Sequence, residues 1–205
     1  MTDDALTTAL EHQAAKRIEH HVLWHCALLA SSEYATLRES ESGYQLRGLT
    51  VLPREDVPCH VSYEVSADRD WYPVAVIAAF EMPSRTLRIA LSLAADGRWT
   101  IDGSPAPQLR GCRDLDLGWT PATNTIPIRR LGLAVGETAR ITAAWIRFPE
   151  LDIAPNEQRY TRLANDRWRY QSGDYDFELR VDERTGLVLK YGDDLWHAAA
   201  GPAGP

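Results

Sequence analysis

Several stretches of this sequence alternate between apolar and polar residues, so that every second side chain is apolar. This alternation is typical of a β-strand with one buried and one exposed face. Antiparallel sheets commonly show it, whereas parallel strands that are covered on both faces lose it. The sequence therefore predicts an antiparallel sheet with three sets of buried positions: Cys59, Val61, Tyr63 and Val65; Leu87, Ile89, Leu91 and Leu93; and Tyr175, Phe177, Leu179 and Val181.

Glycine-containing pairs stand between the strand-like stretches, where hairpin turns need residues that tolerate positive φ. A chain of many hairpins forms a meander, and a long meander has to roll up, form a sandwich or close to protect its edges. The 205 residues are enough for one domain with a sizeable core. The predicted turns are Ser42-Gly43, Asp96-Gly97, Asp102-Gly103, Ser172-Gly173 and Thr185-Gly186.

The N-terminal residues follow a different period. Apolar residues recur there at every fourth position, at Leu6, Leu10, Ala14 and Ile18, after an acidic start. This spacing predicts a short helix. We therefore expect a helical extension over residues 1–20, a β domain over residues 21–197 and a flexible C-terminal tail over residues 198–205.

Charge and hydropathy exclude several classes of protein. The formal net charge is -7, which gives no basic surface for a polyanion, so nucleic acid is not an expected partner. The acidic N-terminus is unlike a secretory signal. The longest apolar stretch, residues 74–80, is far shorter than the roughly 20 residues of a transmembrane helix. We expect a soluble cytoplasmic protein with no integral membrane segment.

The three cysteines, Cys26, Cys59 and Cys112, are odd in number and widely spaced, so we interpret them as buried apolar residues. The segment from His20 to Cys26 contains His21 and His25, which would share one face of a helix and could bind a metal. No acidic or cysteine partner stands at a supporting interval, so we expect no metal. The sequence also lacks G-x-S-x-G and phosphate-binding glycine motifs, and we expect no cofactor.

Residues 111–133, here called the central segment, interrupt the meander with the sequence GCRDLDLGWTPATNTIPIRRLGL. Leu115, Leu117 and Trp119 alternate at its start as in a strand. A run rich in Pro, Thr and Asn follows, and we expect a short helix near Asn124 to Leu131.

The central segment, together with AAWIRFPELDIAPNEQRYTRL from Ala143 and FELRVDERTGLVLKYGDDLW from Phe177, resembles the bacterial glycolipid-binding family. The resemblance extends from about Val22 to Trp196. It implies a mainly β fold: a single antiparallel sheet, curled like a half-barrel into a spiral β-roll around one helix. We expect that helix to be the one near Asn124 to Leu131. The resemblance also implies a cleft for a glycolipid, with no covalent chemistry.

Asp114 and Asp116 lie two residues apart on a strand, which places both carboxylates on one face about 6–7 Å apart. That spacing is close to the one found in glycosidases, so a small hydrolase is an alternative function. Arg113, Arg129 and Arg130 are near in sequence, however. We favour a structural Asp/Arg network that ties the central segment to the sheet.

The aromatic residues are biased towards rings with a polar atom, since the chain has 7 Trp and 8 Tyr but only 3 Phe. Such rings suit a cleft that is partly wet, because they can lie along acyl chains or stack on sugars. We expect most of them to lie in the core and some to line a cleft. The candidates are Trp71, Trp99, Trp119, Trp145, Tyr160, Trp168 and Tyr170.

We therefore expect a protein that holds a lipid-like or glycolipid molecule in a cleft, with Arg129, Arg130 or Arg147 near an anionic head group. A structural β protein, with a roll filled by its own side chains, remains a further alternative, and the sequence leaves the oligomeric state open. The expected ligand-binding residues are Asp114, Asp116, Asn124, Arg129, Arg130, Trp145, Arg147 and Tyr160.

Overall fold

The computed structural model describes residues 18–193 and 195–203. These residues form one 15-stranded sheet that curls without closing. The strands are β1 (Ile18–Cys26), β2 (Ser31–Ser40), β3 (Gly43–Arg54), β4 (Val57–Ala67), β5 (Pro73–Met82), β6 (Arg85–Leu93), β7 (Trp99–Ile101), β8 (Ser104–Pro105), β9 (Asp114–Leu117), β10 (Thr138–Arg147), β11 (Asp152–Arg162), β12 (Arg167–Ser172), β13 (Tyr175–Val181), β14 (Val188–Tyr191) and β15 (Trp196–Ala203).

The helical elements are short. Two 3-10 turns span Pro107–Leu109 and Ala122–Asn124, and helix α1 spans Thr125–Leu131. The predicted helix in the central segment is therefore confirmed. The mainly β class, the single sheet and the five predicted hairpin turns are confirmed as well.

Strand order explains why the sheet curls. The strands β1 to β8 follow one another to one edge of the sheet, and β15 to β9 follow one another to the other edge. Only nine residue steps join Pro105 at one edge to Asp114 at the other, a reach of about 32 Å. A flat sheet of 15 strands would separate its edges by about 67 Å. The connection can be made only if the sheet bends round on itself.

One pair of strands departs from the antiparallel arrangement that the sequence predicts. Strands β9 and β10 are parallel, with Asp114 opposite Ala143 and Leu117 opposite Ile146. A parallel pair cannot be joined by a tight turn and needs a crossover connection. The rest of the central segment is this crossover, which explains why the one α-helix among the described residues stands here.

The crossover fills the interior of the roll. Residues 120–128 are all buried. Ile126 packs in the larger core cluster, which includes Trp24, Phe80 and Trp99, whereas Ile128 packs in a smaller cluster beneath β10–β14. The helix therefore joins the two halves of the core.

Both ends of the domain differ from the prediction where they are described. The expected N-terminal helix lies outside the described residues except for its last three, Ile18–His20, which belong to β1. Residues 198–203, expected as part of a flexible tail, continue β15 and pair with β1. The prediction of a tail was wrong for these residues because backbone hydrogen bonds to β1 order a segment of small side chains.

The cysteines and most of the predicted core aromatics are buried as expected. Cys26, Cys59 and Cys112 are buried and free. Of the seven aromatic candidates, Trp145 is half-buried and six are buried: Trp71, Trp99, Trp119, Tyr160, Trp168 and Tyr170.

One tryptophan fixes the connection between the two sheet edges. The Trp99 indole donates a hydrogen bond of 2.9 Å to the Cys112 carbonyl. We predict that Trp99→Phe lowers the free energy of unfolding by about 1–3 kcal/mol more than Trp119→Phe, measured by urea denaturation. Both rings are nearly inaccessible, but the Trp119 Nε1 has no partner among the described residues, so its loss removes no hydrogen bond. Equal losses in the two variants would contradict the role of this hydrogen bond.

Candidate functional site

A cleft of about 390 Å³ opens between the central segment and the inner face of the second half of the sheet. We call it the aromatic cleft because its walls carry six rings: Trp145, Tyr170, Tyr175, Phe177, Tyr191 and Trp196. Trp196 and Tyr170 are buried, whereas Tyr175 is 60% exposed. The cleft thus runs from a buried wall to an open mouth.

The rings contact one another in a series across strands β12, β13 and β14. The centroid of Tyr191 is 6.0 Å from that of Tyr170 and 5.1 Å from that of Phe177, and Phe177 stacks at 5.9 Å on Tyr175. Cross-strand register explains the series, since Tyr170 lies opposite Phe177 on the same face. Together these rings form one continuous apolar wall.

Trp145 approaches the opposite side of the cleft because residue 118 has no side chain. A Cβ atom at Gly118 would lie only 2.7 Å from the Trp145 indole nitrogen. The Arg147 guanidinium lies 5.6 Å from the centre of the Trp145 ring. Trp145 is therefore held between the backbone of the central segment and a cation.

Polar groups of the central segment and of β11 face these rings. Asp116 accepts a hydrogen bond of 2.7 Å from the Gln158 amide. Asn124 accepts one of 2.9 Å from the Tyr160 hydroxyl. Asn156 accepts one of 2.8 Å from the Ser172 hydroxyl. The cleft thus combines an aromatic wall with a carboxyl group and two amides.

The low-polarity surroundings alter the acidities of these groups. Burial raises the pKa of Asp116 from its ordinary value of 3.8 to about 6, against the opposing hydrogen bonds of Gln158 and Thr123. Burial also raises the pKa of the Tyr170 and Tyr191 hydroxyls, so both phenols are neutral across the physiological range. Asp116 is the cleft-lining acid with a pKa near neutrality.

The structure brings some of the predicted site residues together. Asp116, Asn124 and Trp145 line the aromatic cleft. Tyr160 is buried behind it and supports Asn124 through its hydroxyl.

The other predicted site residues lie elsewhere. Asp114 and Arg130 line a second, more polar cleft. The Arg129 guanidinium lies 5.6 Å from the centre of the Trp71 ring, and Arg147 forms an ion pair with Asp152. Arg129 and Arg147 line neither of these two clefts.

The Asp/Arg network predicted for the central segment is present as one ion pair. Arg130 donates to both carboxylate oxygens of Asp114, at 3.0 Å from Nε and 2.6 Å from Nη2. Asp114 is 1% exposed, so this bidentate pair replaces its water. The pair ties the end of helix α1 to strand β9. Arg113 and Arg129 form no ion pair with a carboxylate in the described part of the chain.

The Asp114–Arg130 ion pair argues against the alternative function, a hydrolase that uses Asp114 and Asp116. Asp114 and Asp116 line different clefts, and Arg130 occupies both oxygens of Asp114. A glycosidase pair needs two carboxyl groups that face one bond of the substrate. The Asp pair does not have that arrangement.

A third acidic residue, which the sequence reasoning missed, lies deep in the larger half of the core. Glu33 is fully buried and accepts hydrogen bonds from Tyr63 at 2.5 Å, Thr120 at 2.7 Å and Thr50 at 3.1 Å. Since Thr120 also lines the aromatic cleft, this network joins β2, β3 and β4 to the site. The sequence does contain a signal for its burial. Glu33, Ala35 and Leu37 stand at every second position, so the three side chains share the buried face of β2.

The histidines that suggested a metal lie on strand β1, so His21 and His25 do not share a helix face. Over residues 18–193 and 195–203, no three His, Cys, Asp or Glu side chains are grouped so that they could hold a metal ion. No helix of that region is long and apolar enough to cross a membrane.

Comparison with known proteins agrees with this architecture. Residues 21–197 match the model of a family described as "Putative glycolipid-binding". The crystal structure of a DUF1089 family protein from Pseudomonas aeruginosa matches the chain with a TM-score of 0.72 at 32% sequence identity. That match covers 80% of this chain and 90% of the other. No curated protein sequence matches the chain.

The buried ion pair has a testable energetic role. We predict that Arg130→Ala lowers the free energy of unfolding by about 3–5 kcal/mol, because it leaves the Asp114 charge buried without a partner. Arg147→Ala is the matched control and should cost less than about 1 kcal/mol, since the Arg147–Asp152 pair is exposed. The double variant Asp114→Ala/Arg130→Ala should lose less than the sum of its single variants. Similar small losses in all variants would contradict this role.

The Glu33 network makes stability depend on pH. Burial raises the pKa of Glu33 from 4.5 to about 7, although the hydrogen bonds from Tyr63, Thr120 and Thr50 oppose the rise. The folded protein therefore binds this proton more tightly than the unfolded chain does, and stability falls as pH rises between those values. The maximum slope for one group is about 1.4 kcal/mol per pH unit.

We predict that Glu33→Gln flattens the fall in stability between pH 5 and pH 7, measured by urea denaturation at each pH. Burial also raises the pKa of Asp114 and of Asp116, so these two residues will leave part of the slope. Glu64→Gln is the matched control, because Glu64 lies on the outer face of β4 in an exposed pair with Arg47. If the stability of Glu33→Gln falls as steeply with pH as that of Glu64→Gln, the assignment of this pH dependence to Glu33 is refuted.

Proposed function

The chain belongs to the glycolipid-binding family, and we propose that it binds a glycolipid-like amphiphile in the aromatic cleft. The proposal rests on one observation above all. Six aromatic rings and a small set of polar groups face a single open cleft of about 390 Å³. Small-molecule sites commonly combine a mainly apolar lining with a few placed polar groups.

The two kinds of lining suit the two parts of an amphiphile. Aromatic faces pack against the apolar face of a sugar ring or along an acyl chain. Asp116 and the side chains of Asn124 and Asn156 offer acceptors and donors to sugar hydroxyls. We infer that the sugar lies near Asp116 and that the chain follows the wall formed by Tyr191, Phe177 and Tyr175.

The size of the cleft limits how much of the ligand it encloses. About 390 Å³ is near the lower end of the range of small-molecule sites. Residues 120–128 occupy the space that a larger cavity would need. The cleft suits one sugar and the first part of one chain, and the rest of the ligand would leave through the mouth beside Tyr175.

A titration with n-octyl-β-D-glucoside below its critical micelle concentration tests the proposal, with the intrinsic tryptophan fluorescence as the readout. We predict saturable binding to the wild-type protein. The variant Trp145→Ala/Tyr175→Ala should bind at least about tenfold more weakly, since aromatic contacts of this kind contribute about 0.5–1.5 kcal/mol each beyond buried area.

Tyr34→Ala is the matched control, because Tyr34 lies on strand β2 outside the cleft and is 51% exposed. It should bind like the wild type. Free glucose and octanoate, each at the same concentration, test head and chain alone and should bind more weakly than the intact amphiphile. Non-saturable binding, or equal losses in the cleft variant and in Tyr34→Ala, would rule the proposal out.

A further inference from the structure

A second cleft, of about 690 Å³, lies against strands β10, β11 and β12. We call it the arginine cleft because Arg113, Arg130, Arg140 and Arg159 line it. Its acidic lining residues are Asp114 and Glu157. A basic cleft stands out on a chain whose formal net charge is -7.

Not all of these charges are neutralised within the protein. The charge of Arg130 is paired with Asp114, to which Arg130 donates two hydrogen bonds. Glu157 is exposed and forms no ion pair within 4.0 Å in the described part of the chain. By the same criterion Arg113, Arg140 and Arg159 form no ion pair with a carboxylate in the described residues. The Arg159 Nε donates a hydrogen bond of 2.9 Å to the neutral Gln171 amide oxygen, and the Gln171 amide donates one to Asp176. The cleft therefore keeps three cations against one acidic side chain.

Strand register brings two of these cations together. Arg140 on β10 lies directly opposite Arg159 on β11. Side chains at directly opposed positions share one face and have Cβ atoms about 4.5–5.5 Å apart. Like charges at such positions destabilise a sheet. An anion between the two guanidinium groups would remove this repulsion.

The same sheet contains a second opposed arginine pair for comparison. Arg167 on β12 lies opposite Arg180 on β13. Here each cation has a carboxylate, with Glu178 at 3.7 Å from Arg167 and Asp166 at 3.3 Å from Arg180. The fold gives each arginine of the outer pair a carboxylate partner, whereas neither Arg140 nor Arg159 has a carboxylate within 4.0 Å in the described residues.

We propose that Arg140 and Arg159, together with Arg113, bind a phosphate group. Guanidinium groups present planar forks of N–H donors that match the oxygens of phosphate. Thr142, two residues beyond Arg140 and on the same face, adds a hydroxyl to the lining. The proposal stands independently of the aromatic cleft, although Ser172 and Gly173 border both clefts.

Isothermal titration with inorganic phosphate at low ionic strength tests the site. We expect saturable binding to the wild-type protein and a loss of at least tenfold in affinity in Arg140→Gln/Arg159→Gln. The matched control, Arg167→Gln/Arg180→Gln, removes two opposed arginines from the neighbouring strand pair and should change the affinity less than twofold. No binding to the wild type, or an equal loss in the control, overturns the proposal.

Charge reversal gives a second readout that does not depend on a destabilised protein. Arg140→Glu places a carboxylate opposite Arg159, so the variant should be folded with a melting temperature at or above that of the wild type. It should also lose phosphate binding. Phosphate should raise the melting temperature of the wild type and leave that of Arg140→Glu unchanged. Wild-type phosphate affinity in folded Arg140→Glu overturns the site.

Two sources could supply the phosphate group, and sedimentation with vesicles distinguishes them. One set of vesicles contains phosphatidylglycerol and the other contains only phosphatidylcholine. If the wild-type protein sediments with the phosphatidylglycerol vesicles and Arg140→Gln/Arg159→Gln does not, the result supports a phosphate presented by a lipid surface. Phosphate binding without sedimentation supports a free phosphate compound. Sedimentation that persists in this variant, with no phosphate binding to the wild type, overturns the proposal.

Discussion

The short connection between the two edges of the sheet governs this architecture. Nine residue steps from Pro105 to Asp114 have to bridge edges that a flat sheet would hold about 67 Å apart. The sheet therefore curls until β8 and β9 come within reach of one another. The Trp99 indole and the Cys112 carbonyl form a hydrogen bond that fixes this connection. Because the short connection from Pro105 to Asp114 is enough to make the sheet curl, the curl does not require a closed ring of strands.

The short connection also affects where the central segment lies. Its strand β9 joins the far edge in parallel, so the chain has to cross back through the interior as a 3-10 turn and helix α1. The Arg130–Asp114 pair holds the end of that crossover against β9. The crossover is buried inside the roll, and the aromatic cleft lies between it and β10–β15. The cleft is thus a product of how the roll is filled.

Local patterns in the sequence predicted several of the strands, five hairpin turns, the helix and the buried cysteines, because alternation and turn residues act between neighbours along the chain. Features that depend on residues far apart in the chain could not be predicted from these local patterns. The parallel β9–β10 pair and the strand over residues 198–203 depend on hydrogen bonds between remote segments. Asp116, Asn124 and Trp145 were predicted together, but the aromatic wall from Tyr175 to Tyr191 was not. Neither was the opposition of Arg140 and Arg159, because register between strands is invisible in a single sequence.

The most direct test of the central claim, that the aromatic cleft is the ligand site, is a crystal structure of the protein with n-octyl-β-D-glucoside. We expect electron density for a glucosyl ring between Trp145 and the wall formed by Tyr191, Phe177 and Tyr175. A sugar hydroxyl should lie within hydrogen-bond distance of the Asp116 carboxyl group. A ligand bound elsewhere, with the aromatic cleft occupied only by water, would contradict it.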